Sequence, residues 1–278
     1  MMHAPAAHTV KALAMTALFA AVGVSAFAAP QAELWPRWEA HDAGSERSVD
    51  HSGWARFLDR YLVTQTGSGA HLLRYGEVSE ADHERLRRYV GGLEEIAVSS
   101  LSRPEQFAYW VNLYNALTVR VVLDNYPVES IRDIGGLFRQ GPWDTKYLDI
   151  EGASVSLNDI EHRILRPIWE DPRIHYAVNC AAMGCPNLQP MPFTPQNTER
   201  LLERGAAAFV NSPRGARFTP DGTLVLSSIY DWYRSDFGGS RTGILDHLLR
   251  YADDGLASRL RDYEGEIRYR YDWGLNKP

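Results

Sequence analysis

The sequence predicts an α+β fold: a single helix-rich domain with a small, mostly antiparallel sheet toward the carboxyl-terminal half. Three observations lead to this class. Residues 53–63 and 104–126 carry apolar side chains at helical spacing. Asp221-Gly222 lies between two apolar runs, which is typical of a hairpin turn. Residues 265–273 alternate apolar and polar side chains, which predicts a closing strand.

Residues 1–28 are typical of a cleavable signal peptide. The apolar run ALAMTALFAAVGVSAFA (residues 12–28) ends in a small-x-small pattern, which favours a cut after Ala28. We expect an extended arm over residues 29–50 and one globular domain over residues 51–278. The mature protein would then be periplasmic or secreted, with no membrane span. An uncleaved anchor is the alternative.

Composition and motifs argue against several classes of function. The chain carries a net charge of −6, and its acidic and basic residues are mixed, without a lysine- or arginine-rich block. The sequence therefore lacks the basic patch that is typical of nucleic-acid-binding proteins. The sequence contains no glycine-rich phosphate loop, no Gly-x-Ser-x-Gly and no His-Glu-x-x-His. Nucleotide, serine-hydrolase and zincin functions lack their motifs, and no cofactor is predicted.

The strongest predicted helix lies between Pro104 and Pro127 and is apolar nearly all round, so it belongs in the interior. Asn112 and Asn115 share one face of it. A buried, unpaired amide costs about 1–3 kcal/mol, so both side chains need partners on a facing element. They either tie down a loop or take part in a polar site. A further helix is expected after Ser79, broken at residues 91–92.

A second clear helix is predicted in SVSLNDIEHRILRPIW. Ser156 and Asp159 form a capping box, and Pro167 marks the end. At 100° per residue Glu161 falls within the buried stripe, and His162 lies at its edge. A carboxylate on an apolar face needs a cation, a hydrogen-bond donor or a raised pKa. A salt bridge to a nearby arginine is the structural alternative to a functional role.

Both cysteines occur in IHYAVNCAAMGCPNL. Residues 173–179 alternate as a strand would, with Cys180 on the face of the buried apolar side chains and with His175 and Asn179 on the other face. Cys180 is therefore expected to be buried, and Cys185, in a Gly-Cys-Pro loop, to be accessible.

Four interpretations of the two cysteines remain open. An exported chain favours a local disulfide, Cys180–Cys185. One cysteine could instead be a nucleophile, with His175 or His162 as base and Glu161 as orienter. The same cysteines and histidines could bind a metal, although no second zinc-ligand pair is present. Inert thiols are the fourth interpretation. The spacing does not reproduce a thioredoxin-type Cys-x-x-Cys.

Five segments in order, FAYWVNLYNAL, SLNDIEHRILR, DPRIHYAVNCAAMGCPNL, SSIYDWYRSDF and YDWGLN, resemble bacterial members of the domain of unknown function 547 family. The resemblance covers residues 95 to 275 approximately. It implies a shared fold and a shared polar cluster, with no settled substrate. The residues that match the motifs are Asn112, Tyr114, Asn115, Glu161, His162, His175, Asn179, Cys180, Cys185 and Asp272.

A thiol, histidines and a carboxylate on an α+β frame are compatible with a papain- or transglutaminase-like hydrolase or acyl transferase acting on a peptide or amide bond. The histidines precede the cysteines, so only a permuted arrangement would fit. Asn112, Tyr114, Asn115, Asn179 and Asp272 would contribute binding groups, and no metal is assigned. The rival hypothesis is a non-catalytic exported module that binds a peptide or cell-envelope ligand, with a Cys180–Cys185 disulfide stiffening a ligand-facing loop.

Overall fold

The computed structural model describes residue 1, residues 29–135 and residues 141–278. The predicted signal peptide lies outside these residues, except for residue 1. No helix in the described part is long and apolar enough to cross a membrane. The α-helices there are α1 (Ser52–Tyr61), α2 (Glu80–Glu94), α3 (Arg103–Asp124), α4 (Arg166–Trp169), α5 (Thr198–Val210), α6 (Ile229–Trp232), α7 (Arg241–Tyr251) and α8 (Asp254–Leu260).

Helix α3 lies at the centre of the larger of two hydrophobic clusters. Its side chains are buried continuously from Glu105 to Val119, as an all-round apolar helix predicts. Helix α2 packs against both α1 and α3. Ser79 caps α2 by accepting a hydrogen bond from the Asp82 amide at 3.2 Å.

The expected break of α2 at Gly91-Gly92 is wrong, because α2 continues through both glycines to Glu94. Leu93, one turn after Val90, is fully buried. Burial of a leucine contributes about 2 kcal/mol, which offsets the cost of two helical glycines, about 1 kcal/mol each.

The strands are short and form three small sheets in the described part of the chain. Strands β1 (Leu62–Val63) and β2 (Leu72–Leu73) pair antiparallel, as do β3 (Leu148–Ile150) and β4 (Ala153–Val155). The third sheet has the order β5 (Ala216–Phe218), β6 (Leu224–Ser227), β7 (Ile267–Arg270). The helix-rich α+β class is confirmed.

The predicted hairpin forms between β5 and β6, with Gly222 at φ +86°, a conformation that favours glycine. The predicted last strand also forms, but β7 runs parallel to β6. A parallel pair needs a crossover, and α6, α7 and α8 supply it. The third sheet is therefore mixed.

The predicted strand over residues 173–179 is wrong. Pro172–Tyr176 is a 3₁₀ helix, which begins where the Asp171 side chain accepts a hydrogen bond from the Arg173 amide. Ile174 packs in the cluster around α3, whereas Tyr176 packs in the second cluster with Phe209. A helical turn can direct side chains into hydrophobic clusters on two sides. Packing against both clusters outweighs the β propensity of the segment.

The predicted helix in SVSLNDIEHRILRPIW forms, but differs in type and in its end. Asp159–Leu165 is a π-helix that continues directly into α4, so Pro167 lies inside the helix. Pro167 is the second residue of α4, where the chain passes from the wide π turn to the α turn.

The arm over residues 29–50 lies against the helices and contains a short 3₁₀ helix, Pro36–Glu39. The Glu33 amide donates to the His162 carbonyl at 2.9 Å, and the Trp35 amide donates to the Arg163 carbonyl at 2.9 Å. The arm therefore contacts the π-helix directly.

Candidate functional site

The π-helix turns two ionisable side chains into the protein. Asp159 anchors its start by accepting hydrogen bonds from the Ser156 amide and hydroxyl, both at 2.8 Å. The wide i to i+5 turn then leaves Glu161 7% exposed and His162 3% exposed. Wide helical turns of this kind are frequent at functional sites. The sequence prediction that Glu161 lies on the buried stripe is confirmed.

His175 lies between two carboxylates. Its Nε2 is 2.8 Å from Asp236 Oδ2, and its Nδ1 is 3.7 Å from Glu161 Oε1. A carboxylate only accepts, so Nε2 donates its proton to Asp236. The imidazole stacks on the ring of Tyr233 at a centroid distance of 4.3 Å. Both nitrogens of His175 therefore face acidic groups, and its ring is held in place.

Arg166 completes the set that we name the acid–histidine cluster: Glu161, His162, Arg166, His175 and Asp236. Arg166 donates from Nε to Asp236 Oδ2 at 2.6 Å and from Nη2 to Oδ1 at 2.9 Å, a bidentate pair. Its Nη1 donates to His162 Nδ1 at 3.1 Å and to the Pro30 carbonyl at 2.9 Å. A salt bridge from a nearby arginine was expected for the buried Glu161. Arg166 pairs with Asp236 instead, a residue that sequence reasoning had not identified.

Protonation in the acid–histidine cluster follows from burial and pairing. Burial lowers the pKa of His162 to about 4, so this ring is neutral at neutral pH. Burial also acts to raise the pKa of Asp236, but the hydrogen bonds from His175 and Arg166 outweigh it and hold that pKa well below its usual range. Asp236 is therefore ionised throughout the physiological range.

Three tyrosines surround Glu161: Tyr114, Tyr233 and Tyr271. Burial raises the pKa of each phenol, and the charge of Glu161 raises it further. Tyr114, which the resemblance assigns to binding, is one of these three phenols. All three hydroxyls therefore remain protonated, and each can donate one hydrogen bond.

The cysteine loop, residues 180–185, places its two sulfurs at disulfide distance from each other. The loop rests on the last segment of the chain, where the Met183 amide donates to the Gly274 carbonyl at 2.7 Å and the Gly184 amide donates to the Asp272 carbonyl at 2.8 Å. A Cβ on Gly184 would lie 2.8 Å from the Asp272 nitrogen. Only glycine allows this close approach.

The exposure of the two cysteines is the reverse of the sequence expectation. Cys185 is 3% exposed and buried, whereas Cys180 is half-buried. The expected strand alternation does not exist here, because the chain enters the loop from a 3₁₀ helix. Cys180 is therefore the more accessible sulfur.

The polar partners of the sulfurs, among the described residues, are the Cys180 amide and the Tyr271 hydroxyl. The amide donates to Cys185 Sγ at 3.0 Å, and the hydroxyl lies 3.1 Å from each sulfur. The acid–histidine cluster reaches the cysteine loop through Tyr271, whose pKa is raised by burial and by the charge of Glu161. The direct thiol–histidine hydrogen bond that a nucleophile would need is not formed in this part of the chain.

The asparagines predicted as binding residues hold the backbone around the cysteine loop. Asn112 makes two hydrogen bonds with the Phe193 backbone, at 2.8 and 2.9 Å. Asn115 donates to the Ala177 carbonyl at 2.9 Å and accepts from the Asn179 amide at 2.8 Å.

Asn179 closes the loop itself. It donates to the Pro186 carbonyl at 2.7 Å and accepts from the Ala181 amide at 2.9 Å. These contacts with backbone groups match the alternative in which the asparagine amides tie down a loop. Asp272 lies on the surface, where its carboxylate accepts from the Gly274 amide at 2.9 Å, apart from the acid–histidine cluster.

No group of three or more His, Cys, Asp or Glu side chains in the described ranges is arranged to hold a metal ion. The cysteines and histidines of the metal interpretation are not brought together: the sulfurs face each other and Tyr271, while His175 faces Asp236.

Arg166, Asp236 and Arg214 are the polar residues at this site that sequence reasoning missed. Arg214 donates from Nη1 to the Cys185 carbonyl at 2.6 Å and to the Met183 carbonyl at 3.2 Å. Arg166 could have been found, because it stands one helical turn after His162. Asp236 and Arg214 lie on distant loops, and no local pattern indicates their pairing.

Comparison with curated proteins and with solved structures gives no match. Comparison with family models gives a match that covers the π-helix, the 3₁₀ helix and the cysteine loop, and that ends with α5. Residues 98–210 match the family described as "Protein of unknown function, DUF547", and this segment holds every residue of the predicted site except Asp272.

Proposed function

We propose that this protein is a non-catalytic, exported binding module whose ligand-facing surface is the cysteine loop and the aromatic side chains beside it. Trp232, Tyr271 and Trp273 pack on one another, with ring centroids 4.6 to 5.6 Å apart, and all three are half-buried. Half-exposed tryptophan and tyrosine rings are enriched at binding surfaces. The ligand is a peptide or another component of the cell envelope.

The observation that carries the proposal is that, among the described residues, neither histidine of the acid–histidine cluster is hydrogen-bonded to a sulfur. His175 Nε2 donates to Asp236, and His162 Nδ1 accepts from Arg166. The sulfurs contact the Cys180 amide and the Tyr271 hydroxyl instead. A general base needs a free nitrogen within hydrogen-bond reach of the proton that it removes. A scaffold needs buried polar groups that are paired with one another, and Arg166, Asp236 and His175 are paired in this way.

Sedimentation with isolated cell-wall sacculi tests this function, since sacculi present both peptide and glycan. We expect the wild-type protein to co-sediment and the double variant Trp232→Ala/Trp273→Ala to lose at least tenfold in affinity. Trp169→Ala is the matched control, because Trp169 packs on Phe107, away from these rings. Cys180→Ser/Cys185→Ser should bind like wild type. Absent binding, or equal binding by the aromatic variant, contradicts the proposal.

A thiol-dependent hydrolase or acyl transferase is the second candidate, and one observation favours it. Tyr271 places a hydroxyl 3.1 Å from the half-buried Cys180 sulfur, where it would stabilise a thiolate after reduction. Mass spectrometry after alkylation, without and with reductant, separates the two candidates. The enzyme requires one thiol that alkylates at a pH well below the usual thiol pKa of about 8.5, and loss of that behaviour in His175→Ala.

A further inference from the structure

We propose that Cys180–Cys185 is an exchangeable disulfide that accepts two electrons from a dithiol, with Cys180 as the attacked sulfur and Cys185 as the leaving group. This activity goes beyond ligand binding and does not depend on it. Disulfide exchange needs one accessible sulfur, a stabilised leaving thiolate and a frame that keeps the two thiols together. The cysteine loop provides all three.

The two cysteine residues differ in exposure. Cys180 is half-buried, and Cys185 is buried at 3% exposure. An attacking thiolate approaches along the line of the two sulfurs, and we assign the attack to the sulfur of the more exposed residue, so attack at Cys180 expels Cys185.

The Cys185 sulfur receives the donors that a thiolate requires. The Cys180 amide donates to Cys185 Sγ alone, at 3.0 Å, whereas the Tyr271 hydroxyl lies 3.1 Å from each sulfur and can stabilise either thiolate. Arg214, from a distant loop, brings a cation to the cysteine loop through its 2.6 Å hydrogen bond to the Cys185 carbonyl. Hydrogen-bond donors and nearby cations favour a thiolate, and a better leaving thiolate speeds exchange.

The loop is held by contacts other than the sulfur–sulfur bond. Asn179 joins its two ends by donating to the Pro186 carbonyl, and Arg214 holds the Met183 and Cys185 carbonyls. The amides of Met183 and Gly184 are bonded to the last segment of the chain. The two thiols therefore remain neighbours after reduction, and the bond can form again.

One thiolate of the dithiol attacks Cys180 Sγ, a mixed disulfide forms, the Cys180–Cys185 bond breaks and Cys185 leaves with the electron pair. The second thiol of the dithiol loses its proton to solvent and attacks its own sulfur in the mixed disulfide. Cys180 then leaves as a thiolate, the dithiol has become a cyclic disulfide, and the two cysteines are reduced.

Reduction of the full chain by dithiothreitol tests the proposal, with alkylation and intact mass as the readout. We expect complete, reversible reduction at neutral pH without denaturant, and a rate about tenfold lower in Tyr271→Phe. Tyr269→Phe is the matched control, because Tyr269 lies two residues earlier, on strand β7, and makes no hydrogen bond to either sulfur among the described residues. After reduction, the alkylation rate of wild type should titrate at lower pH than that of Tyr271→Phe, which a purely structural role of Tyr271 would not produce.

Single-cysteine variants test the order of the two sulfurs. Cys185→Ser, which keeps Cys180, should form a mixed disulfide with an aromatic disulfide reagent at least tenfold faster than Cys180→Ser. Equal rates, or faster reaction of Cys185, overturn the assignment. Wild-type reduction that occurs only in denaturant overturns the whole proposal, whatever the variants do and whether or not sacculi are bound.

Discussion

The acid–histidine cluster and the cysteine loop lie side by side, and they use their polar groups in different ways. In the acid–histidine cluster, Arg166, Asp236, His162 and His175 are hydrogen-bonded to one another, and Glu161, His162, Arg166 and His175 are almost fully buried. In the cysteine loop, backbone groups and asparagine amides hold the chain, and one sulfur remains partly exposed.

This difference shows that a site can contain residues of reactive types without leaving their reactive atoms available to a substrate. A carboxylate, two histidines and an arginine resemble a catalytic set in a sequence, but one nitrogen of each histidine is already hydrogen-bonded within the cluster. The cysteine loop has fewer ionisable groups, and Cys180, joined to Cys185, is its half-buried cysteine.

Arg166→Met should break the acid–histidine cluster. It leaves the Asp236 carboxylate without its bidentate partner, and removal of one member of a buried ion pair costs about 3–5 kcal/mol. Urea denaturation measures the loss in the free energy of unfolding. Arg268→Met is the control, because its pair with Glu266 is fully exposed and should leave stability unchanged within error. Equal stability of the two variants would show that the Arg166–Asp236 pair does not stabilise the folded protein.

The pH dependence of stability should report His162. The pKa of His162 is lowered to about 4 in the folded protein, so between pH 6.5 and about 4 the unfolded chain binds the additional proton. The free energy of unfolding therefore falls as the pH falls through this window, by on the order of 3 kcal/mol from this group.

His51 and His247 add slopes of the same sign, because burial also lowers the pKa of each to about 4. The difference between wild type and His162→Gln isolates His162, and denaturation at a series of pH values measures it. Parallel curves for the two proteins would contradict a buried, neutral His162. Asp236 contributes only at lower pH: its pKa is depressed, so its stabilisation is present above the unfolded value and lost below it.

Asn115→Ala should loosen the segment that leads into the cysteine loop. It leaves the Ala177 carbonyl and the Asn179 amide without their partner, at a cost of about 2 kcal/mol. Asn125→Ala is the control, since Asn125 is exposed and donates only to the Val121 carbonyl one turn before it. Thermal denaturation measures both. If the two variants melt together, the asparagine does not hold the loop.

Cys180→Ser/Cys185→Ser should have the smallest effect, about 1–2 kcal/mol, because the disulfide closes a very short loop. Wild type in reductant should lose the same amount, as measured by urea denaturation. A loss above about 4 kcal/mol would mean that the loop depends on the sulfur–sulfur bond. The backbone and asparagine contacts would then not be enough to hold the loop after reduction.

Local patterns in the sequence predicted much of the fold correctly. The all-round apolar run of α3, the Ser79 cap and the Asp221-Gly222 turn each depend on a few neighbouring residues, and all three are confirmed. The prediction for residues 173–179 was wrong. Their alternating pattern was interpreted as a strand, but the segment contains a helical turn that packs against two hydrophobic clusters.

Local sequence alone predicted the long helices and the burial of Glu161, Asn112 and Asn115 among polar partners, since apolar periodicity and capping act over one or two turns. The 3₁₀ helix Pro172–Tyr176 and α8 did not follow from it. The identity of those polar partners depends on tertiary packing. Asp236 meets Arg166 and His175, and Tyr271 meets both sulfurs, across long stretches of chain. Hydrogen bonds between distant residues depend on how the elements pack, and no spacing within one segment carries that information.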